Sequence, residues 1–262
     1  MKENLLYNRY GNWALITGAS SGIGEEFARQ LAKMKFNLAL VARRTENLEN
    51  ISAQLISEHA IETIIITLDL SKPNFLKEME QQVAHVDIGL LINNAGFALT
   101  GSFMAGKLES QIELLDLNCK APLILSHYFG NKMIKRGKGA IINIASATAF
   151  LPMPFWSNYA ASKAYLLHFS EGLWYELQEK GIDVLAVCPG GTNTEFAKTA
   201  NVQLNGMSVK DVVSESLESI GKKPTLITGS KNKFSITFLR LFNRKTLIKI
   251  GAKVVGKMRN QH

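Results

Sequence analysis

The chain is 262 residues long, 46% hydrophobic and 20% charged, with a mean hydropathy of +0.02, a balance that excludes a disordered or fibrous protein. At this length folding buries roughly 70–75% of the unfolded surface, enough for one large α/β domain or two small ones. The net charge of +8 is unevenly spread: eleven of the 30 Lys and Arg and none of the 22 Asp and Glu lie from Ser219 onward, leaving the first 218 residues at 19 against 22, a net −3. A near-neutral body with a basic tail argues against nucleic acid as a partner.

Apolar stretches break well before the roughly 18–20 residues of a membrane crossing, and the opening MKENLLYNRYGNW is too polar for a secretory signal core. A cytoplasmic protein is therefore expected. Cys119 and Cys188 stand singly in apolar segments and read as reduced core residues. The five histidines lack ligand spacing, so no metal site is expected.

In chain order, Asn12 to Thr17, Asn37 to Ala42, Thr63 to Leu68, Ile88 to Asn93, Ala140 to Ala145, Asp183 to Cys188 and Thr225 to Thr228 read as strands, with helical patterns between them. Strand and helix in alternation imply an α/β fold, with about seven parallel strands doubly wound by helices on both faces. No linker or repeat divides the chain, so residues 1–230 form one domain and residues 231–262 a basic helical extension, part of that domain or an interface. Ligands of such sheets sit outside the carboxyl ends of the strands.

After the first strand comes Thr17-Gly18-Ala19-Ser20-Ser21-Gly22-Ile23-Gly24, opening a helix predicted over Glu25 to Lys35. Glycines here let backbone N–H groups reach a pyrophosphate at a helix N-terminus. The second strand ends in Ala42-Arg43-Arg44, where an NAD-selective site carries a carboxylate. Arg43 and Arg44 can hold a 2′-phosphate instead, favouring NADP(H), or form a solvated pair. Asp69, closing the third strand, either caps the adenine edge or caps the following helix.

Ser146 ends the fifth strand, and thirteen residues later Tyr159-Ala160-Ala161-Ser162-Lys163 starts a helix running to about Lys180. The i, i+4 spacing puts Tyr159 and Lys163 on one helix face. A phenol ordinarily titrates near 10, so proton transfer at neutral pH asks for roughly 4 kcal/mol of help, which a cation supplies with the right sign. Tyr128 and Lys132 match the same spacing but lack an upstream strand-end serine, so they read as packing residues.

Together with Asn93-Asn94-Ala95-Gly96 and Pro189-Gly190, these motifs resemble the short-chain dehydrogenase/reductase family, on the ketoacyl reductase and hydroxysteroid dehydrogenase branch, from about Asn12 to Thr228. The resemblance implies a Rossmann-type fold and hydride transfer between NADP(H) and a carbonyl or alcohol carbon. It implies Tyr159 as the general acid or base, Ser146 as the group orienting the carbonyl oxygen, and Lys163 as the cation that lowers the tyrosine and binds the nicotinamide ribose. Asn118 falls where the family completes a proton relay through water; its other reading is a helix-distorting structural residue. Asn94, Ala95 and Gly96 are placed beside the adenosine, and Thr192 and Thr194 beside the nicotinamide carboxamide. NADP-preferring members of the family often put a basic residue inside the glycine turn, where this chain has Ser20 and Ser21, so phosphate selectivity rests on Arg43 and Arg44. The resemblance also implies a homodimer or homotetramer.

Phe97, the run Phe150-Leu151-Pro152-Met153-Pro154-Phe155, and Phe196, Val202, Leu204 and Met207 are expected to wall a pocket for a small hydrophobic carbonyl substrate, or else to be plain core. In the tail, Leu247, Ile248, Gly251, Val254, Val255 and Met258 fall on one stripe, opposite Lys245, Lys249, Lys253 and Lys257. That amphipathic helix has three readings: packed on its own subunit or a neighbour, laid on a membrane surface, or meeting an acidic acyl carrier or acyl-CoA phosphates. An NADP(H)-dependent reductase is the leading function; a noncatalytic NADP(H)-binding regulator and a peripheral membrane-associated reductase are the alternatives.

Overall fold

The computed structural model of the protein describes residues 4–192, 206–239 and 241–259. Seven strands, β1 (Trp13–Thr17), β2 (Asn37–Ala42), β3 (Thr63–Thr67), β4 (Ile88–Asn93), β5 (Gly139–Ile144), β6 (Ile182–Cys188) and β7 (Thr225–Ile227), lie within one residue of the predicted ends. They form one sheet in the order β3-β2-β1-β4-β5-β6-β7, every neighbouring pair parallel. This is the doubly wound, Rossmann-type α/β arrangement, whose strand order reverses between β1 and β4.

Residues alternate across the sheet, so each strand feeds two cores. On one face α2 (Gly22–Lys33), α3 (Thr45–His59) and α8 (Val209–Ser219) pack Phe27, Leu48 and Val212 against Ile16, Leu40 and Ile92. On the other, α4 (Phe75–Val83), α6 (Ala121–Arg136) and α7 (Ser157–Gln178) set Met79, Phe129 and Trp174 against Leu15, Val41 and Leu91. Cover on both faces is why the strands read as continuous apolar runs. A short α1 (Asn4–Tyr10) precedes the sheet and ties to β6, where Tyr10 Oη donates to Asp183 at 2.7 Å. Before α6 come α5 (Leu108–Leu115) and a π-turn at Asp116–Lys120.

One polar chain crosses the interior. Asn93 Nδ2 donates to Asn143 Oδ1 at 2.8 Å, and Asn143 Nδ2 donates to Ser170 Oγ at 2.8 Å. It links β4, β5 and α7, and so fixes the tyrosine-bearing helix against the middle of the sheet.

The C-terminal extension is two helices, α9 (Ser230–Leu239) and α10 (Arg244–Arg259). Of the three readings of α10, its contacts favour packing on its own subunit. Leu247, Gly251 and Val255 are buried, and Val255 joins a cluster with Met153, Trp156 and Tyr159. Lys245, Lys249 and Lys253 stay exposed, while the side chains of Lys257 and Met258 lie outside the described residues. Ile248 departs from the expected stripe and is exposed.

Close approach depends on Gly251, where an added Cβ would stand 2.2 Å from Pro152 O. Gly251→Val is expected to lower stability by about 1–3 kcal/mol through overpacking. Gly256, with nothing within 4 Å of its Cβ position, is the control: Gly256→Ala should stabilise by about 0.5–1 kcal/mol. Urea unfolding midpoints of the two variants check both signs.

Candidate active site

The carboxyl ends of β1 and β4 are stitched together by Thr17 and Asn94. Thr17 Oγ1 accepts from the N–H groups of Asn94 and Ala95 at 2.9 and 3.0 Å, and Asn94 Nδ2 donates to Thr17 O at 2.9 Å. The glycine turn closes on this clamp. Gly18 has φ +67°, and a Cβ there would stand 2.7 Å from Asn94 Nδ2; one on Gly24 would stand 2.2 Å from Gly18 O. The turn therefore opens α2 with bare backbone facing the crevice, a fit to a pyrophosphate.

Arg44 reaches back over this turn. Its Nη2 donates to Ser21 Oγ at 2.8 Å and Ser20 Oγ at 3.1 Å. The guanidinium thus lies where the turn lacks a cation of its own. Arg43 is more open, with Nη1 4.0 Å from both Asp69 and Glu113. Asp69 Oδ1 accepts from Ser71 N at 3.0 Å and Ser71 Oγ at 2.7 Å, a local turn, while the residue also lines the crevice. Desolvation pushes its carboxyl up, but the Ser71 hydrogen bonds and the Arg43 and Lys72 charges outweigh it and hold it below its ordinary value.

Ser146 follows β5 and heads a 3-10 turn at Ala147–Phe150, accepting from Thr148 N at 3.2 Å. Tyr159 and Lys163, both buried on the first turns of α7, come up beside it, and the Tyr159 and Ser146 side chains are hydrogen-bonded. Lys163 Nζ donates to Ile144 O at 2.8 Å and stands 5.8 Å from the Tyr159 ring centroid. One expectation is corrected: the phenol sits above its ordinary value, not below. Burial pushes Tyr159 up to about 12, with the Ser146 hydrogen bond acting against it, and burial pushes Lys163 down to about 8. Shared helix face brought the pair together, but the ammonium is spent on a backbone carbonyl and desolvation dominates both groups.

Asn118 lies in the π-turn, a local widening often found at functional sites. Its amide grips the Phe97 peptide from both sides, donating to Phe97 O at 3.0 Å and accepting from Phe97 N at 3.1 Å. Gly96 lies between Asn118 and Lys163: a Cβ there would be 2.9 Å from Asn118 Oδ1 and 3.5 Å from Lys163 Nζ. In the third loop Ala147 N donates to Pro189 O at 2.8 Å, and Thr192 Oγ1 to Gly190 O at 3.2 Å. Tyr128 donates to Glu80 at 2.8 Å with Lys132 over its ring, and neither lines the crevice, as expected of packing residues.

These loops enclose a cavity of about 680 Å³ that the predicted residues line throughout the described range, with Gly24 and Asn118 one layer behind. Thr194, Phe196, Val202 and Leu204 lie outside the described residues. Phe97, Leu151 and Met153 form its apolar end as expected. Four residues of the expected run do not: Phe150 packs against the cluster holding Ala145 and Leu167, Phe155, at φ +68°, is exposed, and Pro152 and Pro154 stand outside the lining. Met207 packs on the sheet core. Trp156, Ile236, Leu239 and Val254 take their places and were not foreseen. Asn232, Ser235, Ile236 and Leu239 at i, i+3, i+4 and i+7 were a visible stripe that could have signalled this.

The geometry can be set beside known proteins. A family model described as short chain dehydrogenase matches residues 12–205. The chain is 31% identical over 222 residues to a very-long-chain 3-oxoacyl-CoA reductase-A of Danio rerio, covering 83% of this chain and 70% of that one. Among solved structures, one reported for 7beta-hydroxysteroid dehydrogenase stereoselectivity superposes with a TM-score of 0.88 at 25% identity, over 94% of this chain and 98% of the other. A short-chain dehydrogenase from Sphingobium yanoikuyae in complex with NADPH gives 0.78 at 33% identity, over 87% and 93%. Sheet order, glycine turn and the serine, tyrosine and lysine at one crevice agree with these matches, and the chain belongs to the short-chain dehydrogenase family.

Proposed function

We propose that the protein is an NADP(H)-dependent reductase of hydrophobic ketones, 3-ketoacyl thioesters included. The observation that carries it is the Tyr159 hydroxyl, hydrogen-bonded to Ser146 and buried at the apolar end of a crevice whose other end is a glycine turn bearing Arg44. The glycine turn and Arg44 fit the phosphates of NADP(H), which when bound supplies the hydride.

Ser146 and Tyr159 converge as donors on a carbonyl oxygen and stabilise the charge that develops there. Tyr159 gives up its proton to that oxygen. Its raised affinity for the proton keeps it in the form reduction uses at neutral pH. Lys163 Nζ, 2.8 Å from Ile144 O and 5.8 Å from the Tyr159 ring centroid, supplies the positive charge that stabilises the phenolate as it forms. Asn118 acts as a positioning residue, holding the Phe97 loop that bounds the crevice. Leu151, Met153, Trp156, Ile236 and Leu239 exclude water and favour an aliphatic or aromatic ketone. The name of the 3-oxoacyl-CoA reductase relative supports that substrate class.

Three outcomes are expected. With a panel of 3-ketoacyl thioesters, steroid ketones and aromatic ketones, Tyr159→Phe should lower kcat by about 10²- to 10⁴-fold while leaving NADPH binding intact. A native protein that binds NADPH and reduces none of the panel favours the noncatalytic regulator. Arg44→Ala should weaken NADPH about 10- to 100-fold and leave NADH unchanged, the size of one charge-assisted contact; titration of cofactor fluorescence separates the two. Finally, Lys163 is cationic below about 8 and neutral above it, so kcat/KM for reduction should fall as pH rises through that value. A profile flat through that region counts against a role for its charge.

A further inference from the structure

The helix that walls the crevice has a second face. α9 turns Asn232, Ser235, Ile236 and Leu239 inward. Its opposite flank carries Phe234, 74% exposed, and Phe238, 51% exposed, with their rings stacked at 6°. Beyond the helix Leu241 is 80% exposed, and Phe242 meets Phe238 edge-on at 5.3 Å. Large apolar residues scattered singly over a surface are ordinary, but a continuous aromatic ridge marks a contact surface.

Charge chooses what covers it. Lys231, Lys233, Arg244, Lys245, Lys249 and Lys253 are exposed on α9 and α10, and no Asp or Glu occurs from Ser219 to the end of the chain. A second copy pairing through this face would set like charges against one another. An interface of aromatic rings and cations suits an anionic bilayer, with rings at the acyl boundary and ammonium groups at the phosphates.

We propose that the Phe234, Phe238, Leu241 and Phe242 ridge, with its surrounding lysines and arginine, docks the protein on the surface of an anionic phospholipid bilayer. The contact is peripheral: among the described residues no helix is long and apolar enough to cross a membrane. It is carried by α9, not by the α10 stripe, which is used up against Pro152 and Met153. Docking lays the wall of the crevice beside the phase in which hydrophobic ketones partition. That consequence rests on the reductase reading; the docking itself does not.

The test uses the full chain without cofactor or substrate, sedimented with phosphatidylcholine vesicles with and without phosphatidylserine. The protein should pellet with the anionic vesicles only, and less as salt rises. The Phe234→Ser/Phe238→Ser/Leu241→Ser variant should bind about tenfold less, and a Lys231→Gln/Lys233→Gln/Lys249→Gln variant should lose the lipid-charge dependence. Unchanged NADPH binding and melting temperature establish that each variant folds. The proposal is overturned if native protein stays in the supernatant or if the serine variant pellets like native. It is equally overturned if light scattering shows that variant breaking a dimer, or if the ridge captures an immobilised acidic acyl carrier protein and not vesicles.

Discussion

A parallel sheet covered on both faces has nowhere to put chemistry except its carboxyl edge, and the rest of this molecule follows from that constraint. The strands and helices are committed to burial, as the two clusters around Ile16 and Leu15 show. Polar side chains collect where β1, β4, β5 and β6 end. The Thr17 hydroxyl ties the first two ends together, and the Ala147 to Pro189 hydrogen bond ties the last two. Four loops from distant parts of the chain thereby make one crevice whose geometry is set by the sheet and not by the loops.

The same burial explains the electrostatics. A phenol and an ammonium taken out of water both shift toward their neutral forms, so Tyr159 holds its proton more firmly and Lys163 less firmly than in solution. The two groups, nearly equal in proton affinity in water, are thereby driven apart, the phenol to about 12 and the ammonium to about 8, without needing a direct contact. A tyrosine that keeps its proton is suited to giving it to a developing alkoxide, whose affinity for it is higher still, and Ser146 shares the load on the same oxygen. On the proposed reductase reading, the protonated phenol is the form that reduction uses at neutral pH.

Much of this was legible in the residues. Strands buried on both faces leave unbroken apolar runs such as Trp13–Thr17, so their limits were found almost to the residue. Tyr159 could be separated from Tyr128 because the chemistry needs a strand-end serine, a requirement of topology that spacing alone does not carry. What escaped has a common cause: it depends on where distant segments meet. Trp156 and Val254 face the crevice because α10 docks on Pro152, about a hundred residues earlier in the chain. Phe155 points away because its backbone takes a positive φ that few non-glycine residues adopt. The distance between Lys163 and the tyrosine was likewise beyond a helical repeat, which orders faces but not the depth of burial.

The tail sharpens that last point. An amphipathic period says that one face of a helix is apolar and says nothing about whether protein or lipid covers it. In α10 a glycine decides, because Gly251 permits contact with a backbone oxygen that any larger residue would block. In α9 the pattern is weaker by period, since apolar residues occupy both flanks, and it is exposure that divides them: Ile236 is buried and Phe234 is not. A helix apolar on two sides serves two environments at once. One flank completes the crevice, and the other stands exposed among cations without a single carboxylate in the surrounding sequence, the juxtaposition on which the docking proposal rests.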